Sequence, residues 1–328
     1  MQGPVAGAKI ISMLTTYKWT QGVGLTEAGP RLEPGTWIDL SEPTQGEIDK
    51  VQAEFDLAPE FLTDPLDKDE RARVEYDEDT NATLIVVRIP IQDTSEGSVP
   101  YTTIPYGIVI TPNSVITVCA RRPPLTDEFR QMRKLCPPYV RHRFVFNILL
   151  RAATLYLRYL REIRDEADTI ERDLHKALKN GSLIDLLDLQ KSLVYFTTSL
   201  NADEIMVSRL TTMRQLGIAE DDRDFLDDVV IEYRQAYEMA SIHSNILTGM
   251  MDSFASVISN NLNVVMKSLT VISIVFMIPT LIASIYGMNL RAGALPFADS
   301  VHAFSITMGI SLALVALAIY IFHRRRLF

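Results

Sequence analysis

The longest uncharged runs lie toward the C-terminal end. No Lys, Arg, Asp or Glu falls between Lys267 and Arg291, or between Asp299 and Arg324, gaps of 23 and 24 residues. A helix needs about 20 apolar residues to cross a bilayer, so the pattern predicts two spans. Upstream, short runs rich in Val, Ile, Thr and Tyr at 36–40, 82–91, 101–111 and 114–119 read as strands, with turn signals at 77–81 and 111–113 between them. The stretches 46–55 and 126–135 read as helices covering one face of that sheet. Fourteen of the 16 prolines lie in residues 1–138, and none occurs between Pro138 and Pro279. A Pro-free stretch of that length can stay helical. It reads as two helices over 141–219 broken at Asn180-Gly181, where the pair would supply the positive φ of a turn or cap. A long helix follows over 221–286, about 100 Å at ~1.5 Å per residue.

The elements predict an α+β membrane protein. An N-terminal cytosolic α/β domain (1–140) is followed by a helical hairpin of the cytosolic part (141–220). A stalk helix (221–267) continues into a first transmembrane helix (268–289). An outer loop (290–300), a second transmembrane helix (301–323) and a basic tail (324–328) complete the chain. His323-Arg-Arg-Arg326 beside the second span marks the cytoplasmic side, while the connecting loop carries only Arg291 and Asp299. The start has no basic segment leading into a long apolar run, so no signal peptide is expected. The expectation is a multi-pass protein of the plasma or inner membrane with both termini cytoplasmic.

Charge sharpens this division. The chain carries a net −9; residues 268–328 hold four Arg against Asp299, a net +3, which leaves −12 on residues 1–267. An acidic body disfavours nucleic acid and suits cations, beside the plainer reading of a solvated surface. Cys119 and Cys136 make neither a disulfide framework nor a four-ligand zinc site, and the five His show no metal-ligand spacing. No Walker-type Gly-Lys-Ser/Thr occurs and no nucleophile–base constellation is visible. Neither an enzyme nor an organic cofactor is expected.

Steps of four and three from Asp252 pick out Ser256, Ser259, Asn263, Met266, Thr270, Ser273, Met277, Thr280 and Ser284. Nearly all are small, polar or Met, whereas Val271, Ile272, Ile274, Val275, Phe276, Leu281 and Ile282 between them are bulky and apolar. A polar stripe facing lipid costs free energy, so it must face protein or water. Packing through small residues is one use of such a stripe. An axial path in an oligomer is the other, each first span turning its stripe inward and each second span shielding it from lipid. Continuation of the stripe below the bilayer through Asn263, Ser259 and Asp252 favours the path. Gly287, Met288 and Asn289 close the first span, where Gly287 permits a turn and Asn289 offers an amide at the outer mouth.

Tyr286-Gly-Met-Asn289 ending the first of two spans, the preceding runs 263–270 and 276–280, and the basic tail resemble the CorA family of magnesium and divalent cation transporters. The resemblance implies a homopentamer with a funnel-shaped cytosolic part and conduction of largely hydrated Mg²⁺, gated by intracellular divalent cation. It implies a selectivity filter at Gly287, Met288 and Asn289. Asn263, Met266, Leu269, Met277 and Thr280 match pore and gate positions, beside Thr270, Ser273 and Ser284 on the stripe. It further implies regulatory Mg²⁺ between subunits, held by Asp64 and Asp228, with Asp252 a weaker candidate. Two departures stand out: Thr63 replaces an acid common before Asp64, and Phe297 stands in the outer loop where many relatives carry one. A zinc, cobalt or nickel transporter of the same fold is the alternative, as is a membrane-anchored cytosolic sensor. Inward flow needs no nucleotide, because a 2+ ion gains about 4.6 kcal/mol per 100 mV of inside-negative potential.

Overall fold

A computed structural model describes residues 14–29, 31–93, 95, 98–132, 136–176, 180–288, 296–297 and 300–325. It divides into two compact units, Met1–Thr248 and Gly249–Phe328.

In the first unit the described residues form a mixed seven-stranded sheet. The strands are β1 (Leu14–Thr20), β2 (Gly24–Glu27), β3 (Trp37–Ser41), β4 (Arg73–Asp77), β5 (Ala82–Gln92), β6 (Tyr101–Ile110) and β7 (Val115–Cys119). Their spatial order is β2-β1-β3-β7-β6-β5-β4, with β3 and β7 parallel and every other pair antiparallel. The helices are α1 (Gln45–Phe55), α2 (Glu60–Thr63), α3 (Pro124–Arg130), α4 (Arg141–Lys176), α5 (Asn180–Thr212) and α6 (Glu220–Tyr286), which crosses into the second unit.

Side-chain alternation along β3 sorts the two faces. Ile38 and Leu40 join a core with Ile48 and Val51 of α1 and Phe61 and Leu62 of α2. Trp37 points the other way, edge-on to Phe129 of α3 and Phe144 of α4, with ring centroids 5.7 Å apart in each pair. Tyr101 of β6 meets Tyr159 of α4 and Phe196 of α5. With helices over both faces, the central strands are apolar on both, which is why 82–91 and 101–111 read as near-continuous apolar runs.

Several expectations need correction. Helices α1 and α3 lie on opposite faces of the sheet, not on one. Helix α3 starts at Pro124, where the fixed proline φ suits a first helical turn, and ends at Arg130, short of the expected 135. Asn180 and Gly181 open α5 and lie inside it, and Gly181 is not at positive φ. The break falls before Asn180, next to residues outside those described. Strands β1, β2 and β4 were not expected; β2 and β4 are the edges of the sheet, β1 lies next to the β2 edge, and about half the residues of each are polar. Cys119 is buried, but Cys136 is only half-buried.

One close approach positions a candidate residue. Pro65 packs onto Gly107 of β6 so tightly that a Cβ there would lie 2.7 Å from the Pro65 Cβ. Pro65 follows Asp64 in a short 3₁₀ turn, Asp64–Leu66.

The second unit comprises the rest of α6 and α7 (Ala303–Arg324). Both are long and apolar enough to span a membrane.

Candidate ion pathway and regulatory carboxylates

All ten stripe positions from Asp252 to Ser284 are exposed on the chain. Coverage falls elsewhere on α6, at Ser268, Val271, Val275, Ile278, Pro279, Ile282 and Tyr286. At 3.6 residues per turn the two sets lie roughly 150° apart around the helix. The covered set meets α7: Pro279, Ile282 and Tyr286 share a cavity of about 320 Å³ with Phe304, Met308 and Ser311. Helix α7 therefore takes the apolar side of α6 and leaves the polar side open. At the other end Phe322 of α7 lines a hollow of about 360 Å³ with Lys267, Val271 and Ile274, which reaches the flank of the stripe at Asn263, Met266 and Thr270. Leu269 is exposed but stands off the stripe, as does Phe276.

Four of the six stripe hydroxyls have partners for their protons. Thr270, Ser273 and Thr280 donate to the carbonyls of Met266, Leu269 and Phe276 at 2.8, 2.8 and 2.9 Å, and Ser256 donates to Asp252 O at 3.1 Å. This back-bonding makes a hydroxyl tolerable at membrane depth. It also leaves the oxygen lone pairs facing outward as acceptors, the polarity that a cation or its water hydrogens require. Pro279 removes one backbone donor from the helix interior, on the side packed against α7.

Gly287 extends the last turn, its N–H donating to Ala283 O at 2.9 Å. A Cβ there would stand 3.2 Å from that same oxygen, so the tight carboxyl end of α6 disfavours a side chain. Tyr286 Oη donates to Pro296 O at 2.7 Å and ties the span to the loop. Met288 is exposed; Asn289 lies outside the described residues, as do Arg291 and Asp299.

The candidate regulatory carboxylates both lie in the first unit. Asp228 is exposed near the start of α6, where Asp222 pairs with Arg143 of α4 at 3.7 Å. Asp64 is one-third exposed, and its Oδ2 accepts from Arg73 Nη2 at 2.6 Å. Arg73 also reaches Glu70 and, at 3.5 Å, Glu75, so it gathers three carboxylates. Sequence reasoning missed Arg73, although it and Arg71 stand between Glu70 and Glu75 in an otherwise acidic stretch. No group of three or more His, Cys, Asp or Glu among the described residues of one chain makes a metal site. A cation at Asp64 would share the carboxylate with Arg73 through the other oxygen and need donors from elsewhere, which suits a hard, water-retaining ion.

The chain resembles known proteins along most of its length. It is 27% identical over 293 residues to the "Cobalt/magnesium transport protein CorA" of Methanocaldococcus jannaschii, covering 88% of this chain and 90% of that one. The complete structure of the CorA magnesium transporter from the same organism superposes with a TM-score of 0.78 at 26% identity, over 95% of this chain and 98% of that chain. The ZntB cytoplasmic domain from Vibrio parahaemolyticus shares the fold alone, at 12% identity and a TM-score of 0.54, over 76% of this chain and 98% of that domain. Residues 34–324 match the family described as CorA-like Mg2+ transporter protein, and the chain belongs to that family of membrane divalent cation transporters.

Proposed function

We propose that this protein carries Mg²⁺ into the cell as a homo-oligomeric channel, most simply a pentamer, with the α6 stripe of each subunit turned to the common axis. The observation that carries this reading is the stripe itself. Ten exposed positions, mostly polar, stand on the face of α6 away from α7, and among bulky apolar neighbours such a face is costly in lipid. Around a shared axis the outward hydroxyl lone pairs and the Asn263 amides meet water and hydrated ion. Helix α7 then stands between α6 and lipid. Both termini lie in the cytoplasm, where the −12 body draws cations, and the membrane potential drives them inward.

The filter is assigned to Gly287, Met288 and Asn289, one amide per subunit replacing outer-shell solvent around the ion. Asn263, Met266, Leu269, Thr270, Ser273, Met277, Thr280 and Ser284 line the path, with Asp252 at its cytosolic approach. Regulation is assigned to Mg²⁺ between Asp64 of one subunit and Asp228 of its neighbour. The carboxylates repel unless a cation lies between them, so the bound ion holds the closed arrangement. It biases gating only by the margin with which it binds that state more tightly.

The relatives named for both magnesium and cobalt, and the shared fold of ZntB, make the ion the quantity to test. Purified protein in liposomes, assayed for Mg²⁺, Zn²⁺, Co²⁺ and Ni²⁺ entry with and without an inside-negative potential, should show potential-driven Mg²⁺ flux. Zn²⁺ flux with none for Mg²⁺ would replace the reading with a zinc transporter. Absence of flux for all four would favour a membrane-tethered sensor.

A further inference from the structure

Asp203 of α5 has no exposure to solvent. Its Oδ1 accepts the Arg88 amide N–H at 2.9 Å, while its Oδ2 is buried without a hydrogen-bond partner. Across from it on α6, Tyr233 Oη is also buried and also without a partner. The next residue on each helix, Glu204 and Arg234, forms an ion pair at 2.8 Å, which sets the two helices side by side at this level. A buried carboxylate with one oxygen unpaired is costly, and the protonated acid less so.

The surroundings of Asp203 are otherwise neutral. From β5 comes Arg88, whose guanidinium is held by the carbonyls of Lys68, Glu70 and Thr103 and by Thr103 Oγ1. From α4 comes Tyr156, whose hydroxyl donates to Arg88 O at 3.0 Å. The hydroxyls of Thr103 on β6 and Ser199 on α5 bond each other at 2.7 Å. Tyr233 completes the set from α6. Among the described residues Arg88 is the one charged group acting on Asp203, and burial outweighs it, pushing the carboxyl well above the usual carboxylate range. Burial, with Asp203 nearby, likewise raises the Tyr233 phenol.

We propose that Asp203 is a proton-linked latch between the cytosolic hairpin and the stalk helix, holding its proton while α5 and α6 are packed and releasing it when Tyr233 withdraws. In the packed state the site is dry and the acid stays neutral, its Oδ1 on the Arg88 N–H and the buried Tyr233 closing the site from α6. On separation water reaches the carboxylate, the O–H bond breaks heterolytically and the proton passes to bulk buffer. The packed form thus holds one more proton per subunit. Rising pH disfavours it by up to about tenfold per pH unit, and acidification tightens it. Because α6 continues into the stripe, a stalk movement that opens this contact becomes sensitive to cytosolic pH. The latch goes beyond the transport reading, and its test does not measure transport.

Asp203→Asn keeps the acceptor for the Arg88 N–H and carries no charge, so it mimics the protonated acid. Thermal unfolding of the full-length protein in detergent should show the wild type losing stability from pH 6 to pH 9. Relative to it, Asp203→Asn should already be the more stable at pH 6, where an unfolded aspartate has given up its proton, and should gain further as pH rises. A variant less stable at pH 6, or one whose Tm falls as steeply as the wild type's, would overturn the latch. Infrared spectroscopy gives a second readout should that variant not fold. The wild type at neutral pH should show the carbonyl stretch of a protonated carboxylic acid, lost in Tyr233→Ala, which admits water to the site. Absence of that band, or a band that Tyr233→Ala leaves in place, also overturns it.

Discussion

Arg73→Ala should make the transporter more sensitive to internal Mg²⁺. The guanidinium lies 2.6 Å from Asp64 Oδ2, and both side chains are about one-third exposed, so solvent already screens the pair. A hydrated ion held through the other oxygen would stand roughly 6 Å from the guanidinium. At that separation a 2+ ion and a unit positive charge repel by about 1.4 kcal/mol in a water-like medium, and physiological salt, with a Debye length of ~8 Å, removes roughly half. Deleting the cation should therefore strengthen ion binding by about 0.7–1.4 kcal/mol, about three- to tenfold in half-inhibitory concentration. Loss of the ties to Glu70 and Glu75 leaves more negative charge nearby and acts in the same direction. The fold itself should lose less than about 1 kcal/mol, as partly exposed ion pairs contribute little. The assay is the inhibition curve of flux against internal Mg²⁺ in liposomes, in the presence and absence of Asp64→Ala. An unshifted curve in Arg73→Ala, or a shift that persists without Asp64, would refute the role of Asp64 as an ion ligand.

Asn289→Ala should abolish or greatly weaken divalent uptake while the assembled oligomer stays intact by size-exclusion chromatography; uptake at the parental rate would sink the filter assignment. Gly107→Ala drives a methyl into the rigid Pro65 ring and should destabilise the first unit by about 1–3 kcal/mol in denaturant unfolding, displacing the turn that carries Asp64. Asp39, fully buried and accepting from Thr117 and Ser41, is pushed by that burial from 3.8 up to about 6. Its folded form holds the extra proton in that window, so stability should fall as pH rises from about 4 to about 6, by up to about 1.4 kcal/mol per pH unit. Asp39→Asn should remove that portion of the pH dependence in denaturant unfolding.

Long-period signals were the legible ones. The two uncharged gaps became the apolar half of α6, which ends at Tyr286, and α7 (Ala303–Arg324), because a membrane span is set by length and composition alone. The apolar runs of β5, β6 and β7 were readable since both faces are covered. Strands β1, β2 and β4, at or next to the sheet edges, were not, since about half their residues are polar and the pairing partner supplies what propensity does not. Asn180-Gly181 misled because Asn and Gly favour helix beginnings as well as ends. The stripe was visible as a spacing, yet its separation from the α7 face needed the packing of Val271 and Ile282. The pairing of Arg73 with Asp64 and the burial of Asp203 are set by packing, which the local sequence does not specify.

The stripe is tested most directly by two neighbours on one helix. Met277 and Phe276 sit one residue apart, both largely exposed on the chain, but only Met277 stands on the stripe. Potential-driven Mg²⁺ flux in liposomes, measured for Met277→Asn and Phe276→Asn at matched oligomer content, separates pore from packing. If the stripe lines the path, Asn at Met277 hydrates a hydrophobic constriction and raises flux, while Asn at Phe276 acts on packing and does not. Equal changes at the two positions, or a rise only at Phe276, would contradict an axial path along this face.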